Sequence, residues 1–146
     1  MSSALIGVIN QRLVRRLCSA CRRADTSFEG SEVPERIRDR MQGSEISAYR
    51  AGGCHLCHEG GYDSLVNMPE IMLVNSELED AIANRTTAID LESIAIEKGM
   101  LRLSEVAHSY VLRGITSVDE ANRVINDSRL AQMHRRELAT DIAVDE

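Results

Sequence analysis

The sequence predicts an α-rich α+β fold, in which a tetracysteine, zinc-clamped subdomain is followed by a small helical bundle. Three observations carry that expectation. Two Cys-x-x-Cys pairs, Cys18/Cys21 and Cys54/Cys57, bracket a polar middle punctuated by glycines. From Ser76 onward, apolar residues recur at helical spacing between capping residues and terminating glycines. The chain has no Trp and one Phe, so its core must draw on Leu, Ile, Val, Ala and Met, which suit helices better than an aromatic-rich sandwich.

The first segment, 1–17, reads as an amphipathic helix. Ile6, Ile9, Leu13 and Leu17 recur at helical spacing, and Gln11, Arg12, Arg15 and Arg16 share the opposite face. Ser2 or Ser3 would cap it, and Gly7 weakens it by up to about 1 kcal/mol relative to Ala. A helix this short is marginal in water, so its apolar face must pack on something. The middle, 22–53, has room for one short helix over 34–41, with Pro34 at its first position. A long irregular stretch of this kind is expected only where its ends are clamped. Residues 65–74 read as a short strand or a buried extended segment. Ser76 with Glu79 then forms a capping-box pattern for a helix with Leu78, Ala81 and Ile82 inward. Leu91, Ile94, Ala95 and Lys98 mark the next helix, closed by Gly99. Leu103, Val106 and Tyr110 mark a third, closed by Gly114. Ser117 with Glu120 opens a last one, with Ala121, Val124 and Ile125 inward. The charged end is expected to be helical through Leu138 and then to fray.

The net charge is -6, unevenly placed: Arg12, Arg15, Arg16, Arg22 and Arg23 crowd the start, and acidic residues prevail later. Such a basic patch suits phosphate, an acidic partner or simply solvent. The apolar run 4–9 is far shorter than the roughly 20 residues that span a bilayer, and it lacks the marks of a signal peptide. No transmembrane segment is therefore expected, and a cytoplasmic, reducing compartment is, where disulfides do not persist.

The paired motifs carry the chemistry. Each Cys-x-x-Cys offers two sulfurs from one tight turn, and two pairs complete a tetrahedron of thiolates, the closed geometry of structural zinc. Cys18, Cys21, Cys54 and Cys57 are thus the expected ligands of one Zn2+. A thioredoxin-type redox pair would sit singly after a strand in a βαβ setting, which this sequence lacks. The gap between the pairs exceeds that of a minimal zinc ribbon, so the metal closes a large loop. His55 and His58 flank the second pair as alternative ligands or as hydrogen-bond donors to sulfur. Gly52-Gly53 and Gly60-Gly61 read as turn glycines beside the site. No catalytic residues and no nucleotide or other cofactor site are expected: there is no Gly-rich loop ending in Gly-Lys-Ser or Gly-Lys-Thr, and a closed four-thiolate site leaves the metal no open position.

The stretch 2–21, with Gln11-Arg-Leu-Val-Arg15 running into Cys18, resembles the segment that follows the nucleotide-binding core in the type II secretion and type IV pilus assembly ATPases. Gly53-Cys-His-Leu-Cys-His-Glu-Gly-Gly-Tyr62 is similar to that family's Gly-Cys-x-x-Cys-x-x-x-Gly-Tyr. Glu70-Ile-Met-Leu73, Ala95-Ile-Glu-Lys-Gly-Met100 and Gly114-Ile-Thr-Ser-Val-Asp-Glu120 match its helical end. The resemblance implies a hexameric cytoplasmic ATPase, peripheral at the inner membrane, that powers pilin or pseudopilin assembly. It also implies that this chain is its non-catalytic, zinc-binding C-terminal part. The division would then be a helix leading out of the ATPase core (1–17), the zinc subdomain (18–62) and the helical subdomain (63–146). The ATPase core, neighbouring subunits and the inner-membrane platform protein are the implied partners. One departure stands out: Asp63-Ser64-Leu65 replaces the family's usual Arg-Gly-Arg. The alternative is a stand-alone zinc-stabilised module that binds protein or nucleic acid, though the negative net charge and 3% aromatic content supply little for nucleic acid. A thiol redox switch is the remaining reading.

Overall fold

The computed structural model describes residues 4–26, 33–41 and 47–126. Its frame is a long antiparallel ribbon of β1 (Gly7–Leu17) and β4 (Tyr62–Leu73). Between them lie the two-residue strands β2 (Arg23–Ala24) and β3 (Tyr49–Arg50), which pair antiparallel, and the short helix α1 (Glu35–Arg40). After the ribbon come α2 (Ser76–Ala83), α3 (Ala88–Glu97), α4 (Leu103–Leu112) and α5 (Val118–Asn126). Five helices with small antiparallel sheets thus make up the described residues, in line with the α+β expectation.

The helix expected over 1–17 is instead β1. Residues alternate across this strand: Val14 is fully buried, while Leu13 and Ile9 point to the other face and are exposed. The helical spacing has two causes. Apolar residues occupy both faces of the ribbon, and the register shifts between Arg16 and Leu17. That shift buries both Val14 and Leu17, three positions apart, which mimics a helical stripe. The expected caps at Ser2 and Ser3 lie outside the described residues, as does the helix expected through Leu138. The extended segment expected over 65–74 is the larger part of β4.

The helical half follows the sequence more closely. Asn75, not Ser76, caps α2: its side-chain oxygen accepts from the Leu78 N–H at 3.0 Å. Leu78 and Ala81 face inward, but Ile82 is exposed. Pro34 caps α1 from an extended conformation and is not its first helical residue. Gly99 and Gly114 have positive φ (100° and 61°) just past the ends of α3 and α4, as C-terminal glycines should. Ser117 Oγ accepts from the Glu120 N–H at 3.2 Å, which is half of the expected capping box.

The Glu120 carboxylate does something else. It crosses to β1, where it accepts from the Arg15 backbone N–H (3.0 Å), Nε (3.0 Å) and Nη2 (2.7 Å), and Arg123 holds its other side. Its side chain is fully buried. Thr116 Oγ1 donates to the Arg15 carbonyl, the Leu17 N–H to the Ile115 carbonyl, and Tyr62 Oη pairs with Ser117 Oγ. The α4–α5 turn is therefore stitched to one end of the ribbon. Along the inner face, Val14, Val66 and Met68 pack against Val106, Ala107 and Val111 of α4 and Ala121 and Val124 of α5. Glu70 completes the seam by accepting from Asn10 Nδ2 and from the first N–H of α4, at Leu103. A second cluster, Val33, Ile37, Met41 and Leu112, seats α1 on α4, helped by the Arg36–Glu105 ion pair.

The Arg123 and Arg15 guanidiniums outweigh the cost of burial and hold the Glu120 carboxyl down at about 2, against its ordinary 4.5. A lowered carboxyl pKa contributes stability that is present above the ordinary value and lost as pH falls towards the folded one. Thermal melts should therefore lose stability between about pH 5 and pH 2. Glu120→Gln should cost about 1–3 kcal/mol at neutral pH and flatten that acid dependence.

Candidate metal centre

The site forms where the ribbon begins and ends. β1 runs directly into Cys18, and a tight turn follows, in which Cys21 N and Arg22 N both donate to the Cys18 carbonyl. The second pair is built on a single 3-10 turn, His55–Cys57, with Cys57 N and Glu59 N donating to the Cys54 carbonyl at 3.1 and 2.9 Å. His58, Glu59 and Gly61 all have left-handed φ (50°, 63° and 74°), and this turns the chain back into β4 at Tyr62. Cys18 N donates to the Gly61 carbonyl at 3.0 Å, so the two turns are also hydrogen-bonded to each other.

The four Sγ atoms of Cys18, Cys21, Cys54 and Cys57 all lie within 4.8 Å of one another. Cys57 Sγ is 3.7 Å from both Cys21 Sγ and Cys54 Sγ. A tetrahedral zinc with Zn–S of about 2.3 Å sets sulfur–sulfur edges of about 3.8 Å, whereas a disulfide needs about 2.05 Å. The spacing fits a metal and not a bridge, and all four cysteines are free. The four residues that the sequence singled out are thus together, and they can hold a metal ion. His55 and His58 are exposed and stand outside the thiol cluster.

The surroundings are arranged for negative sulfur. The Cys54 and Gly61 N–H groups point at Cys57 Sγ, at 3.4 and 3.2 Å. Burial opposes ionisation of Cys57, but these donors and the neighbouring thiols outweigh it and bring the thiol down to about 7. Burial pushes Cys21 up to about 12, and hydrogen bonds with Cys57, Cys54 and Cys18 push the same way. Four thiolates side by side need a divalent cation to exist, and a soft donor set of this kind suits zinc.

Glycine is required at two positions. A Cβ on Gly52 would lie 2.1 Å from the Cys21 carbonyl oxygen, and one on Gly61 would lie 2.7 Å from Ala51 Cβ on a backbone with φ of 74°. These turn glycines let the two cysteine turns approach each other.

A family model described as "Type II/IV secretion system protein" matches residues 1–123. The chain belongs to this family. It is 35% identical over 126 residues to the type IV pilus assembly ATPase PilB of Thermus thermophilus, an alignment that covers 82% of this chain and 13% of that protein. It is 30% identical over 128 residues to the type II secretion system ATPase E of Vibrio cholerae, covering 88% of this chain and 25% of that protein. The protein transport protein HofB homolog of Escherichia coli is 34% identical over 125 residues, 86% of this chain and 26% of that protein. The chain thus spans about a quarter or less of the length of these relatives. Among the described residues, no helix is long and apolar enough to cross a membrane.

Sequence reasoning missed two features near the site. The Arg15–Glu120 pairing joins residues 105 positions apart, and Arg113, beside the first cysteine turn, stands out in no local pattern. The role of Gly52 gives the test of the centre. Gly52→Ala should weaken Co2+ binding at least about tenfold and reduce the thiolate-to-cobalt absorption, because the methyl group drives the two turns apart. Wild-type absorption in that variant would contradict the close approach.

Proposed function

We propose that the chain is the non-catalytic, zinc-binding C-terminal part of a type II secretion or type IV pilus assembly ATPase. In this reading it works in the cytoplasm, peripherally at the inner membrane, and serves assembly of the motor and docking to its membrane platform. The observation that carries the proposal is the bare outer face of the ribbon. Ladder pairing places Ile9 opposite Ile71, Gln11 opposite Pro69, Leu13 opposite Asn67 and Arg15 opposite Leu65. Ile9, Leu13, Leu65 and Leu73 on this face are 63%, 59%, 62% and 73% exposed. A two-stranded ribbon is marginal by itself, and among the described residues only its inner face is covered, by α4 and α5. An apolar strip of this extent marks a surface that another body covers. The relatives carry three-quarters or more of their length outside the matched region, which leaves ample chain to cover it.

The metal's part is structural. Four protein thiolates would fill the coordination sphere of zinc and leave no position for water or substrate. The sequence also lacks a Gly-Lys-Ser or Gly-Lys-Thr phosphate loop. A nucleic-acid role draws little support, because two of the five N-terminal arginines are engaged internally: Arg15 with Glu120, and Arg22 with Tyr49 and Gly114.

Leu13→Asp tests the bare face directly. The substitution should leave the melting temperature nearly unchanged, since Leu13 is already exposed. It should abolish association, read by sedimentation, with the separately produced nucleotide-binding core of a family member. A wild-type chain that melts cooperatively as a monomer and binds no such core would contradict the proposal.

A further inference from the structure

A cleft of about 480 Å³ opens beside the cysteine turns, where the end of β1, the first turn, the start of β4 and the α4–α5 turn meet. Arg16, Arg22 and Arg113 line it, together with Ser19, Ser64 and Asp63. Three guanidiniums therefore face one carboxylate. Arg22 is fixed in place: its Nη1 donates to the Gly114 carbonyl at 2.8 Å, and its guanidinium stacks 4.4 Å from the centroid of the Tyr49 ring. Most of its five N–H donors remain unused. Arg16 and Arg113 make no side-chain hydrogen bond or ion pair among the described residues, whereas Arg15, Arg36, Arg102 and Arg123 all pair with a glutamate. Asp63 forms no ion pair with any of the three; its Oδ1 accepts from Ser64 Oγ at 2.8 Å.

Gathering three like charges around a single carboxylate leaves a net positive cleft, and an anion bound between them relieves their mutual repulsion. Guanidinium forks match the oxygens of a phosphate better than a lysine does, through paired, charge-assisted hydrogen bonds. The volume falls within the roughly 300–1,000 Å³ of ordinary ligand pockets, so it admits a phosphate carried on a larger molecule. We propose that this cleft binds a phosphate group, with Arg16 and Arg113 closing on its oxygens against a wall preset by Arg22. The site lies outside the thiol cluster, and the inference stands apart from the motor assignment.

The test is calorimetric titration of the full, metal-loaded chain with inorganic pyrophosphate, at constant ionic strength against a sodium chloride blank. A parallel arm measures flotation with phosphatidylglycerol vesicles against phosphatidylcholine vesicles. Saturable pyrophosphate binding without flotation supports a soluble phosphate ligand, and flotation alone supports a lipid headgroup. Arg16→Ala combined with Arg113→Ala should weaken whichever binding is seen at least about tenfold. Asp63→Asn should strengthen it severalfold, a gain that a folding defect cannot produce. Arg23→Ala, outside the cleft, should leave it unchanged. Failure of both pyrophosphate and vesicles to bind above their blanks, or full binding by the double variant, would overturn the proposal.

Discussion

Strands β1 and β4 can meet only if the chain between Leu17 and Tyr62 is closed into a loop, and the four cysteines sit where that loop closes. Closing about 45 residues costs roughly 3 kcal/mol of chain entropy, before any ladder hydrogen bond is made. Among its described residues, the polar middle contributes a small cluster around Ile37, and Ala48 to the main core, to offset it. A structural zinc bound by four cysteines typically contributes about 10–16 kcal/mol, several times the closure cost. A metal bound by the four cysteines would substitute for a core that the described part of the loop does not supply, and would close the root of the ribbon.

From that root the order passes outward. Leu17 and Arg15, the last turns of β1 before Cys18, hold the α4–α5 turn through Ile115, Thr116 and Glu120. That turn sets where α4 and α5 lie on the inner face, and α4 carries α1 through Leu112 and Glu105. The same crowding draws Arg16, Arg22 and Arg113 to one cleft, because three separate segments converge beside the first cysteine turn. Among the described residues, the outer face of the ribbon takes no part in this packing.

The sequence was most legible where the signal was local. The cysteine spacing, the glycines after α3 and α4, and the inward positions Leu78, Val106, Ala121 and Val124 all survive into the structure. Strand β1 carries a helical pattern in the sequence because a ribbon with apolar residues on both faces has no clean alternation, and the shift at Leu17 adds a three-residue step. The capping pattern at Ser117 and Glu120 was half right: the backbone N–H of Glu120 is capped as expected, but its carboxylate is taken by an arginine far away in sequence. Arg113 could not be found at all, since its meaning depends on where β1 and β4 lie. Local chemistry can be read one residue at a time; pairings set by the ribbon cannot.

The central claim is that a tetrathiolate metal holds the root of the ribbon, and native mass spectrometry before and after chelation, with circular dichroism on the same samples, tests it most directly. The account predicts one zinc per chain, and loss of cooperative folding once the metal is removed. A metal-free chain that keeps its full secondary structure and melts cooperatively would contradict it.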